Sequence, residues 1–173
     1  LAPNELCIVR GPNGSGKTTL ISILSGEIGQ TSGSVRLVSE SGAAPSIAVI
    51  GQFHNLIDEL TVAEHFDILG NHENVTLFDP ELLSRRCADL SRGQAQTVAI
   101  ALALSSETDL LLADEPTGAL GAAESAQIYD FIKSTARRNG ISVLLVTHDV
   151  HADRIADRIV RLRDGRLSET WTH

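Results

Sequence analysis

One short run near the start of the chain, Gly11-Pro12-Asn13-Gly14-Ser15-Gly16-Lys17-Thr18-Thr19, limits the fold more than anything after it. The spacing G-x-x-x-x-G-K-[ST] lets successive backbone N–H groups turn inward around phosphate oxygens. The helix that follows aims its positive end at the same anion. The flanks fit: Glu5 to Arg10 reads as a short buried strand, and Lys17 to about Ser25 as a helix. A strand, a phosphate-binding turn and a helix in that order commit the chain to crossover connections and hence to an α/β fold. Lys17 is placed to reach the β- and γ-phosphates of a nucleotide, and the Thr18 hydroxyl to ligate Mg²⁺.

The rest of the pattern agrees. Ser34 to Val38 alternates like a strand, and Ile47 to Ile50 is a second apolar run of strand length. Thr61 with Glu64 predicts a capping box for a helix over Val62 to about Leu69. Pro80 opens a short helix that contains Leu82 and Leu83. A helix runs from about Gln94 to Leu104, started by Ser91 or Gly93. Leu110 to Ala113 is the continuous apolar run of a strand covered on both faces. Ala122 to Arg138 is amphipathic, with Ile128, Phe131 and Ile132 inward, and Asn139-Gly140 closes it. Ile141 to Val146 is another buried strand. After a short helix near 150–156, Asp164-Gly165 joins two strands as a hairpin. The expectation is a mainly parallel central sheet flanked by helices.

A second site signal lies at Asp114 and Glu115, where the apolar run of 110–113 ends. Open α/β sheets bind ligands at the carboxyl ends of their strands. There Asp114 can hold magnesium through water, and Glu115 can polarise an attacking water. With 14 Lys+Arg against 22 Asp+Glu, the net charge is -8. Such a chain repels nucleic-acid backbones unless it carries a local basic stripe, and the sequence has none, so nucleic acid is not an expected partner. Cys7 and Cys87 lie far apart with no metal-type spacing, as in a reducing compartment. No apolar run approaches the roughly 20 residues of a membrane span. His54, His65, His72, His151 and His173 show no metal spacing and read as surface residues.

Taken in order, the phosphate loop (11–19), Gln52, Leu90-Ser91-Arg92-Gly93-Gln94, Asp114-Glu115 and His148 resemble the ATP-binding domain of ABC transporters. The resemblance runs along nearly the whole chain, residues 1–173 as one domain. LSRGQ is similar to the family's LSGGQ signature. The run Asp114 to Leu120, DEPTGAL, looks like the branch of macrolide-type and lipoprotein-releasing exporters. The family implies ATP and Mg²⁺ as ligands and a head-to-tail pair of nucleotide-binding domains. Ser91, Gly93 and Gln94 of one copy would then meet the γ-phosphate held by the phosphate loop of the other. It further implies Gln52 at the magnesium ion and the attacking water, and His148 beside the γ-phosphate, Glu115 and that water. It implies a transmembrane permease as partner, and hence a cytoplasmic location, peripheral on the inner face of the membrane.

Departures from the family pattern leave two functions open. Arg92 replaces the first glycine of the signature, and Gly121 stands where the family has an aspartate. The helical subdomain, 53–104, is short, and the chain opens at Leu1 without the family's first strands and their adenine-stacking aromatic. One reading is a transport ATPase that hydrolyses ATP. The other is a degenerate or truncated regulatory module that binds nucleotide with little hydrolysis.

Overall fold

The computed structural model describes all residues except 39–41, 52–55, 70–73, 105–106 and 173, and for 169–172 it describes the backbone alone. Six strands form one sheet: β1 (Leu6–Arg10), β2 (Ile47–Ile50), β3 (Leu110–Asp114), β4 (Ser142–Thr147), β5 (Arg158–Arg163) and β6 (Arg166–Thr172). Their order is β2-β3-β4-β1-β5-β6. The first five run parallel, and β6 returns antiparallel to β5 through the Asp164-Gly165 turn. Both turn residues have positive φ, 50° and 71°, as the tight hairpin requires.

The central strands are apolar throughout because both faces are covered. Leu6 and Ile8, Leu111 and Ala113, and Val143 and Leu145 point to one side. They pack there against α4 (Arg92–Ala103) and α5 (Ala122–Asn139). Cys7 and Val9, Leu110 and Leu112, and Leu144 and Val146 point to the other, toward α1 (Lys17–Leu24). An alternation in which every residue is buried is the signature of a parallel sheet between helical layers. α5 ends as its sequence predicts: Arg137 and Arg138 occupy the last turn, and Gly140 takes the left-handed conformation at φ 70°.

A smaller apolar cluster sits to one side. Val62 and Phe66 of α2 (Val62–Ile68) meet Cys87, Val98 and Ala101 there, with Phe78 and Phe131 against them. The α2 capping box is formed: Glu64 N–H donates to Thr61 Oγ1 at 3.2 Å, and Thr61 N–H to Glu64 Oε2 at 2.7 Å. The Thr61 N–H and, at 2.8 Å, the Thr61 hydroxyl both donate to the Glu64 carboxyl and hold it below its usual range. Asp79 caps α3 (Pro80–Ser84), opened by the proline at its first turn.

Two expectations fail. Ser34 to Val38 is irregular and joins no strand among the described residues. Its alternation offers Val35, Leu37 and Val38 to a surface that covers only Leu37, while Val35 and Val38 stay exposed. His65 is buried rather than at the surface. Its Nε2 accepts from Ile57 N–H at 2.9 Å, and its Nδ1 lies 3.1 Å from the Thr61 carbonyl oxygen. A loop N–H and an N-cap carbonyl that both engage the imidazole make its burial inexpensive. His151 is exposed as expected, while His54, His72 and His173 lie outside the described residues.

Candidate functional site

The three loops that carry the sequence signals leave the carboxyl ends of three adjacent strands: 11–16 after β1, 115–121 after β3, and 148–149 after β4. The phosphate loop owes its shape to two kinds of glycine. Gly14 and Gly16 have φ of 78° and 102°, values that L side chains rarely adopt. Gly11 is fixed by crowding instead: a Cβ there would stand 2.3 Å from the Leu162 carbonyl oxygen and 2.4 Å from Ser15 Oγ. Pro12 and Asn13 form the exposed crest. The β5–β6 hairpin supports the loop from below, with Gly165 N–H donating to the Ser15 carbonyl at 3.1 Å.

Two features mark the loop as a receptor for an anion. The Ser15 hydroxyl is buried and has no partner among the described residues, and α1 begins at Gly16 with no side chain capping its amides. Unsatisfied donors at a helix N-terminus await acceptors. Lys17 is the buried cation of the site. Its Nζ donates to the Gly11 and Pro12 carbonyl oxygens at 2.8 and 3.2 Å and stands 3.6 Å from Glu115 Oε1. Thr18 and Thr19 are exposed on the first turn of α1, and Asp114 is half-buried at the end of β3. The Thr18 hydroxyl and the Asp114 carboxylate engage no protein group among the described residues. Hard oxygen donors left uncommitted beside a phosphate loop fit a magnesium ion.

Glu115 is the most heavily constrained residue of the site. Its backbone takes φ 48°, a left-handed value for a side-chain-bearing residue, held by Glu115 N–H donating to the Val146 carbonyl at 2.9 Å. Strain of this kind collects at functional turns. Its carboxylate accepts from Thr147 Oγ1 at 2.9 Å, from His148 N–H at 3.1 Å, and pairs with His148 Nδ1 at 2.8 Å. Nδ1–H is the donor to the carboxylate, and Nε2 has no partner among the described residues, on a side chain that is 63% exposed. A carboxylate thus oriented, with a cation at one side and an imidazole at the other, can align and activate a water.

The signature stretch lies apart. Ser91 caps α4: its Oγ accepts from Gln94 N–H at 3.2 Å, and Gln94 Oε1 accepts from Ser91 N–H at 3.0 Å. The Ser91 hydroxyl hydrogen and the Arg92 and Gly93 amides remain available. No hydrogen bond among the described residues joins 91–94 to 11–18, and α4 and α1 pack on opposite faces of the sheet. Gln52 lies outside the described residues. Its neighbour Gly51 is tied to α4, with Gln96 Nε2 donating to the Gly51 carbonyl at 3.2 Å. Sequence reasoning overlooked Leu162 and Gly165 beneath the loop, and also Thr147. For Thr147 the signal was a hydroxyl between a buried strand and His148.

A phosphate loop on a parallel sheet, with a restrained carboxylate at the end of a neighbouring strand, defines a P-loop nucleotide-binding domain. Its family follows from comparison. The ABC transporter family matches residues 1–118, and the chain belongs to it. It is 35% identical to the lipoprotein-releasing system ATP-binding protein LolD of Shewanella denitrificans, across 98% of this chain and 83% of that protein. It is also 36% identical to the aliphatic sulfonates import ATP-binding protein SsuB of Frankia casuarinae, across 97% of this chain and 57% of that protein. Among solved structures, it resembles a dimeric ATP-binding cassette in a post-hydrolysis state with ADP and Pi bound. The TM-score is 0.77 at 25% identity, over 99% of this chain and 87% of that one. The chain is an ATP-binding, ATP-hydrolysing domain of an ABC transporter.

Proposed function

We propose that each copy of this domain holds ATP on residues 11–19 and hydrolyses it only when a second copy closes the site from outside. The observation that carries this reading is the separation of the two half-sites within one chain. Donors at the N-terminus of α4 and donors in the phosphate loop suit the same anion but do not meet. In a head-to-tail dimer, the Ser91 hydroxyl, the Gly93 amide and the adjoining Gln94 complete the cage around the γ-phosphate of the partner's ATP. Lys17 then exchanges its bonds to the Gly11 and Pro12 carbonyls for phosphate oxygens. Glu115 orients and deprotonates the attacking water, and His148 holds the Glu115 carboxylate on one side and faces the phosphate on the other.

Thr18 and Asp114 would hold Mg²⁺, together with Gln52. A bound Mg²⁺ supplies charge neutralisation at the phosphates. The segment 53–104 acts as a shortened helical subdomain that meets a transmembrane permease, and that contact keeps the domain at the inner face of the membrane. DEPTGAL and the likeness to lipoprotein-releasing relatives support the exporter branch. Survival of both Glu115 and His148, bonded to each other, favours hydrolysis over a binding-only module.

The deciding experiment compares the unmodified chain with Glu115→Gln and Lys17→Ala. Glu115→Gln is expected to keep ATP affinity while turnover falls by about 10²–10⁴-fold. Lys17→Ala is expected to lose ATP binding itself in calorimetry. Unchanged phosphate release in Glu115→Gln would reject the role given to Glu115.

A further inference from the structure

We infer that Tyr129 is a positioning residue for Glu115, acting through the buried hydroxyl contact that holds its turn; this rests on Glu115 being the group that activates water. Tyr129 sits on α5, on the face packed against the sheet, and is fully buried. A phenol at such a position needs a partner for its hydroxyl. It finds one in Thr117, itself buried, with 2.6 Å between Tyr129 Oη and Thr117 Oγ1. Thr117 lies two residues beyond Glu115, in the turn whose backbone takes the left-handed value at Glu115. Tyr129 therefore grips the turn that presents the carboxylate.

The same hydroxyl also faces the Thr147 side chain and the Asp149 carboxyl. Thr147 is fully buried and touches the Glu115 carboxylate directly, donating to Oε2 at 2.9 Å and accepting from Asp149 N–H at 3.0 Å. Tyr129 thus stands where the turn that carries Glu115 meets the strand end that binds its carboxylate.

The test is steady-state ATP hydrolysis and ATP binding by the full chain carrying Tyr129→Phe, which keeps the ring and removes the hydroxyl. The expected result is a kcat reduced roughly tenfold, with KM and the ATP Kd within about twofold of the unmodified protein. Thr117→Val, which removes the other half of that contact, should reproduce that split, and the double variant should be no slower than either single one. In a Glu115→Gln background, Tyr129→Phe should cause no further loss. A kcat that stays unchanged, a loss carried by KM, or a full second loss on top of Glu115→Gln each overturns the positioning role. If Glu115→Gln is itself as active as the unmodified chain, the role of Glu115 fails first, and that of Tyr129 fails with it. A Glu115→Gln defect beside an unaffected Tyr129→Phe removes the role of Tyr129 alone.

Discussion

At the residue scale, the phosphate loop separates two reasons for a glycine. Gly14 needs only its φ of 78°, with open space around a would-be side chain, so Gly14→Ala should cost about 1 kcal/mol of backbone strain. Gly11 has backbone oxygen at 2.3 Å from the position of a Cβ, and a carbonyl cannot rotate away as a side chain could. Gly11→Ala should therefore destabilise by about 1–3 kcal/mol and lose ATP binding, read by denaturant unfolding and calorimetry. The motif alone could not rank these two positions, because the crowding at Gly11 comes from Leu162 on a strand far along the chain. Tyr129 makes a parallel case. Burial pushes its phenol up to about 12 from an ordinary value of 10.0. The folded state thus keeps the proton more tightly than the unfolded chain does. The stability this supplies is complete below about pH 10 and is lost as pH rises toward 12. Unfolding free energies measured across that window should fall with pH, and Tyr129→Phe should flatten the slope.

At the element scale, periodicity and caps carried most of what could be read. β2 coincides with the apolar run 47–50, α2 with its capping box, and α5 ends at the predicted Asn139-Gly140. These signals are local, so no tertiary partner had to be known. The failed strand at 34–38 had a suitable pattern but no described neighbour to complete a ladder. His65 was misread because its partners, Ile57 N–H and the Thr61 carbonyl, emerge only once the loop before α2 folds over it. The end of α4 is stabilised in a way no local rule anticipates. Asn74 Nδ2 donates to the Ala101 and Leu104 carbonyls, both at 2.8 Å. Asn139 Nδ2 donates to Leu104 as well, and Arg138 Nη2 holds the Asn74 side chain at 2.7 Å. The helix that begins with Ser91 is thereby fastened at its far end to α5. Asn74→Ala removes both of these bonds and the acceptor of Arg138, and should cost about 1–3 kcal/mol in chemical denaturation. Through the tilt of α4, it should also weaken ATP-dependent association more than it weakens ATP binding.

At the scale of the whole molecule, the arrangement of half-sites yields a test that single variants cannot give. Lys17→Ala removes the cation of the phosphate loop and leaves the α4 N-terminus intact. Ser91→Glu does the reverse: it puts a carboxylate where a γ-phosphate would sit and leaves the phosphate loop untouched. Neither protein alone can build a complete cage in a head-to-tail dimer, since every interface contains one broken half. Mixed together, they form a heterodimer in which the intact loop of one copy faces the intact signature of the other. One site of the two is then whole. Sedimentation with Mg-ATP should show monomers for each variant alone and a dimer fraction in the mixture, with phosphate release recovering in proportion. The net charge of -8 on each copy opposes association, so raising the salt concentration should increase that dimer fraction by screening the like charge. Recovery cannot arise if each chain completes its own site, because neither variant contains all the parts. Two inactive proteins that stay inactive together, while each remains folded, would remove the head-to-tail arrangement and leave the phosphate loop as a nucleotide receptor of a single chain.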